Sequence, residues 1–171
     1  MLLQGGRRIS DIAVLWPISA IQAESYMFRD AESGLPIANW HPNDVVNYAL
    51  SGMLTNELHR DFTYVHPENL AEGKVSVEGD RLRLNNAENM QEYSVLIIPG
   101  GGYISADALK RIGEFYENGG KVIALASLPS HAAEFGRDAE VQSLIASVFG
   151  TPTPIAEATA MMNITTAVIF A

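Results

Sequence analysis

With 171 residues, 47% of them hydrophobic, the chain is long enough for one domain that buries roughly 70% of the surface its unfolded form exposes. Twenty acidic residues against 11 basic ones give a formal charge of -9, and no basic cluster exceeds the pair Arg7-Arg8, so nucleic acid is a poor partner. The chain has no cysteine, which removes thiolate nucleophiles, zinc-thiolate sites and disulfides but leaves the compartment open. No run reaches the roughly 20 apolar residues of a membrane span, and the first residues lack the apolar core of a signal peptide.

Residues 1–10, MLLQGGRRIS, read as a linker from an upstream domain, and residues 11–171 as a single α/β domain. Asp11 to Trp16 (DIAVLW) is a first strand ended by Pro17, apolar throughout as a parallel strand covered on both faces would be. Ile18 to Asn43 follows as a long irregular segment carrying Tyr26, Met27, Phe28 and Trp40; an ordered loop packing its own aromatics, or a contact with a neighbouring domain or ligand, are the readings it allows. Asn43 or Asp44 caps a helix running to about His59, with Val45, Val46, Ala49, Leu50, Met53, Leu54 and Leu58 on one side. Phe62 to Val65 is a short strand, and His66 to Leu70 a turn or a single helical turn. Lys74 to Leu84 alternates around Glu78-Gly79-Asp80, a hairpin at the sheet edge.

Tyr93 to Pro129 then spells one βαβ unit. Ser94 to Ile98 is an apolar, β-branched run expected in the middle of a sheet. Ser105 caps a helix whose apolar stripe is Ala106, Leu109, Ile112, Phe115 and Tyr116, and Asn118-Gly119-Gly120 stops it. Lys121 to Ala126 starts the next strand at once, parallel to the last if the crossover is right-handed. Asp138 caps a helix through Phe149 that Gly150 closes; Thr151 to Ala160 reads as a loop and Thr165 to Phe170 as a last strand. The apolar end Val168-Ile169-Phe170-Ala171 suggests a chain cut from something longer. Alternating strands and helices give an open, mostly parallel sheet with helices on both faces, flavodoxin-like in the broad sense.

In such sheets ligands bind beyond the carboxyl ends of the strands, here Trp16-Pro17, Val65-His66, Pro99 to Ser105 and Ala126 to His131. The candidate rim is therefore Gly100, Gly101, Gly102, Tyr103, Ser105, Ser127 and His131, with Trp40 from the long loop. Consecutive glycines before a helix can aim N–H groups at an anion, although a tight strand-to-helix turn is the commoner use, and neither the dinucleotide fingerprint nor a P-loop is present. Ser127 lies past a strand without the flanking glycines of a nucleophile elbow, and His131 beside it reads as an exposed helix-start histidine. His41, His59 and His66 are scattered, without metal-ligand spacing, and no carboxylate pair has the context of a glycosidase pair. No cofactor is expected.

Three stretches resemble a known family: LLQGGRRISDIAVLWP, YSVLIIPGGGYISADALKRIGEFYENGGKVIALASLP and GRDAEVQSLIASVFG, with DFTYVHPENL fitting the same pattern. Together they look like the α/β domain that follows the catalytic barrel in bacterial α-L-rhamnosidase-like enzymes of glycoside hydrolase family 106. They are also similar to the non-catalytic, amidotransferase-like trimerisation domain of family 42 β-galactosidases. The resemblance implies a parent glycosidase, periplasmic or secreted, whose acid and base lie in a barrel outside this chain. The module itself would be an accessory one, with the barrel and an oligosaccharide as candidate partners and neither nucleic acid nor a membrane. The chain is likewise similar to class I glutamine amidotransferases, in which a Pro-Gly-Gly turn serves the oxyanion hole and a cysteine sits on the later elbow. Pro99-Gly100-Gly101 matches the first feature; the elbow region holds Ala126 and Ser127 and no cysteine, which excludes that acyl transfer. A carbohydrate-binding module and a stand-alone hydrolase using Ser127 and His131 remain the alternatives.

Overall fold

The computed structural model describes residues 9–24, 27–29, 36–38, 49–86, 90–150 and 168–170. The readings made for Trp40, His41, the start of the second helix, residues 1–8 and the 151–160 loop lie outside the described residues.

Five strands form the main sheet: β1 (Ile12–Leu15), β4 (Phe62–Val65), β8 (Val95–Ile98), β10 (Lys121–Leu125) and β12 (Val168–Phe170), in the order β12-β10-β8-β1-β4. All pair in parallel except β12, which runs antiparallel to β10. This is the open, flavodoxin-like α/β arrangement that the alternating pattern predicts. β1 and β8 are apolar at every position, and β10 at every position after Lys121, because both faces are covered, and the strand period of two sends alternate residues to two different cores. Ala13 and Leu15, Leu96 and Ile98, and Val122 and Ala124 enter the larger core. Val14, Ile97 and Leu125 enter the smaller one on the opposite face.

The larger core is closed by α2 (Pro67–Ala71), α3 (Ala106–Glu117) and α4 (Asp138–Phe149), which contribute Leu70, then Leu109, Ile112 and Phe115, then Val141, Ile145 and Val148. The smaller is covered, among the described residues, by Leu50 and Leu54 from a helical turn at 49–52 that widens into a π-helical segment, Met53–Glu57. At the start of the sheet the Ser10 hydroxyl sits 3.2 Å from the Ile12 carbonyl and 3.1 Å from that of Asp61, tying β1 to the approach of β4. None of the described helices is long and apolar enough to cross a membrane.

Four readings of the sequence are corrected. Ile18 to Asn43 is not irregular throughout: α1 (Ile18–Glu24) opens it, and β2 (Met27–Arg29) pairs antiparallel with β3 (Pro36–Ala38). The hairpin β5 (Val75–Glu78) and β6 (Arg81–Leu84) gains a third strand, β7 (Gln91–Tyr93), and this separate sheet packs Val75, Leu82 and Tyr93 into the larger core. Asp138 does not cap α4 but lies inside it, its carboxylate accepting the Ala132 N–H at 2.8 Å; the capping residue is Arg137, whose donor-only guanidinium makes no side-chain cap bond. His131 is not at a helix start but in β11 (His131–Ala132), which pairs in parallel with β9 (Tyr103–Ile104).

Candidate functional site

The carboxyl ends of the parallel strands meet on one rim, as expected. Leu15, Trp16 and Pro17 at the end of β1, Pro67 at the start of α2, Ile98 to Gly100 at the end of β8, Tyr103 to Ser105, and Pro129 after β10 line one cleft. Its cavity volume is about 10 Å³, room for a single water, because four prolines and the Tyr103 ring fill it from the sides. A saccharide or cofactor pocket needs on the order of 300 Å³ or more. The β9–β11 ribbon spans the space between the ends of β8 and β10, so the two rim loops pair with each other rather than standing open.

The glycine turn explains its own composition. Gly100 and Gly101 have φ of 106° and 112°, a region costly to any side chain, and a Cβ on Gly102 would stand 2.5 Å from the Glu24 carboxylate. Three polar groups of the turn are matched within the chain. The Gly101 N–H donates to the Ser127 hydroxyl at 3.3 Å, and the Gly102 N–H donates to Glu24 Oε1 at 2.7 Å. The Gly102 carbonyl accepts from the N–H groups of Ser130 and His131 at 3.0 and 2.9 Å.

The next anion-attracting place, the N-terminus of α3, is filled in the same way. Ser105 caps the helix by accepting the Ala108 N–H at 3.4 Å while its own hydroxyl donates to Glu134 Oε1 at 2.8 Å. The other Glu134 oxygen accepts the Ala106 N–H at 3.0 Å, so a carboxylate of the chain lies at the positive end of the helix dipole. Neither Glu24 nor Glu134 is recognisable as a rim residue from sequence: each reaches its partner across a long separation, 78 residues for Glu24 and Gly102.

Past β10 the backbone does form a sharp elbow, without the glycines that such a bend ordinarily uses. Ala126 has a φ of 61°, and the Ser127 N–H closes a three-residue turn onto the Leu125 carbonyl at 2.7 Å. A γ-turn with positive φ at its centre is the strained form, and for a residue with a Cβ it persists only where the surroundings impose it. An elbow at the end of a parallel strand is where many α/β enzymes hold a nucleophile. Here the apex is a methyl group.

Comparison with protein-family models, curated proteins and solved structures returns no match.

The candidate residues Ser127 and His131 share the rim but are not joined. Ser127 makes its hydrogen bond to Gly101, and His131 faces Asp138, Nδ1 to Oδ2 at 3.3 Å, with its ring stacked on Tyr103 at 5.0 Å between centroids. The Ala132 amide first, and His131 second, hold the Asp138 carboxyl below the usual aspartate range. This pair therefore fastens α4 to the ribbon. His66 caps α2 by accepting the Glu68 N–H at 3.4 Å. No group of three potential metal ligands occurs among the described residues.

Proposed function

We propose that the chain is a non-catalytic, amidotransferase-like module that supports the catalytic barrel, or the assembly, of a glycoside hydrolase resembling the α-L-rhamnosidases. One observation carries the non-catalytic half: the strained elbow after β10 presents Ala126, whose side chain has no atom able to attack a carbonyl. Two others agree with it. The N–H groups of Gly101 and Gly102, which would otherwise face an oxyanion, are engaged by Ser127 and Glu24, and the cleft beside them holds about 10 Å³. The glycosidase half rests on the likeness of the DIAVLWP, YSVLIIPGGGY and GRDAEVQSLIASVFG stretches, which fall on β1, on β8 with the turn after it, and on α4.

The purified chain should not turn over aryl α-L-rhamnosides or glutamine above the buffer rate, and turnover of either that survives repurification would overturn the reading. Sedimentation of the chain mixed with the barrel of a family 106-type enzyme addresses the second half. A complex is expected, and two independently sedimenting species would remove the supporting role.

A further inference from the structure

The glycine turn is built around a carboxylate. Gly102 has no positive φ to account for it, and its lack of a Cβ is instead required by the Glu24 carboxylate, which a Cβ would meet at 2.5 Å. The bond from the Gly102 N–H to Glu24 Oε1 is 2.7 Å, the short distance of a charge-assisted hydrogen bond. Beside it the Ser127 hydroxyl takes the Gly101 N–H, which leaves the hydroxyl proton of Ser127 available as a second donor next to the turn. Glu24 is the last residue of α1, a helix of seven residues held at the rim rather than inside either hydrophobic core. Glu24 is therefore part of neither core.

From this we infer that the Gly100–Gly102 turn is a carboxylate-binding site whose resident ligand is Glu24, and that a small soluble carboxylate binds the same amide when Glu24 withdraws. Glu24 is thus a tethered competitor. A group on a short tether reaches an effective concentration on the order of millimolar or more, so soluble carboxylates of weaker affinity than that are shut out of the intact chain. The net charge of -9 works in the same direction by repelling anions from solution. The inference goes beyond the accessory role: carboxylate binding without turnover leaves that role standing, and turnover of a glycoside would remove it without touching this site.

The test follows the amide resonances of Gly101 and Gly102 during titration with sodium acetate at constant ionic strength, in the wild type, Glu24→Gln and Glu24→Ala. In Glu24→Ala the two amides should shift saturably, with an apparent Kd at least about tenfold below that of the wild type. Glu24→Gln should fall between, because its amide oxygen still accepts from Gly102 but carries no charge. Unresponsive amides in a Glu24→Ala chain that keeps its native spectral dispersion would overturn the site, as would equal acetate affinity in wild type and variant. A variant that titrates with inorganic phosphate and not with acetate would overturn the carboxylate class. Should Glu24→Ala lose its dispersion, Glu24→Gln decides, and a response no stronger than that of the wild type counts against the site.

Discussion

Ala126 is the residue at which local conformation and amino-acid type disagree. Holding a residue with a Cβ in the left-handed region costs about 1–2 kcal/mol. Glycine removes that cost but adds freedom to the unfolded chain worth about 0.5–1 kcal/mol. The first term wins, so Ala126→Gly should stabilise the protein by about 0.5–1 kcal/mol. For a chain of this length that raises the midpoint of thermal unfolding by about 1–4 °C, measurable by circular dichroism. A fall in the midpoint would show that the packing of the methyl against the smaller core outweighs the strain, and that the elbow is no reservoir of it. Sequence reasoning directs attention to Ser127 instead, because a hydroxyl is a chemical signal and an alanine is not. Nothing in Leu125-Ala126-Ser127 announces a positive φ. The glycines of the turn were legible as a rim feature for the opposite reason: three in succession after an apolar strand have few structural uses. Their occupants were not legible, since Glu24 and Glu134 are ordinary surface-type residues until the fold brings them to the N–H groups of Gly102 and Ala106.

At the level of elements, α3 and α4 are joined outside the core by a charge network. Arg137 bonds Glu140 at 2.7 Å and Asp107 at 2.8 Å, and Lys110 reaches Glu140 at 2.7 Å. The bond from Arg137 first, and that from Lys110 second, bring the Glu140 carboxyl from the ordinary 4.5 down to about 2. A carboxyl whose pKa is lower in the folded than in the unfolded chain stabilises the fold above the unfolded value and loses that contribution as pH falls through the folded one. The midpoint of thermal unfolding should therefore decline between pH 4.5 and about 2, and Glu140→Gln should flatten part of that decline while starting from a lower value at neutral pH. Parallel acid profiles for the two proteins would assign the loss to other groups. The same two helices were among the most legible elements, because Leu109, Ile112 and Phe115 and then Val141, Ile145 and Val148 recur at helical spacing. Element starts were less so: Asp138 looks like a cap, yet its carboxylate is drawn to the Ala132 amide by a ribbon of two-residue strands, too short to carry any period. The helix α1 escaped notice because ISAIQAE follows a proline and shows neither a cap nor a continuous apolar stripe.

The molecule as a whole is unequal about its sheet. One face carries α2, α3, α4 and the β5–β7 sheet over a core that includes Leu70, Leu82, Tyr93, Leu96, Leu109, Ile112 and Phe115, all fully buried. On the other face, among the described residues, Val14, Ile97 and Leu125 meet Leu50 and Leu54, and Ile12, Phe62, Val95 and Ile123 around them are only half-buried. The unbroken apolar runs of the central strands made both faces readable as apolar, but not the difference in what covers them. Cost of truncation depends on how far the surroundings can collapse, with Leu→Ala spanning about 2–5 kcal/mol. Leu109 is enclosed by rigid neighbours on a twelve-residue helix, whereas Leu54 sits in a π-helical segment of five residues whose wider turns can shift. Leu109→Ala should therefore cost about 4 kcal/mol and Leu54→Ala about 2 kcal/mol, read from urea midpoints with an unchanged slope. Equal losses would mean that the second face is packed as tightly as the first. The expected inequality makes the face under α2, α3 and α4 the more tightly packed of the two among the described residues.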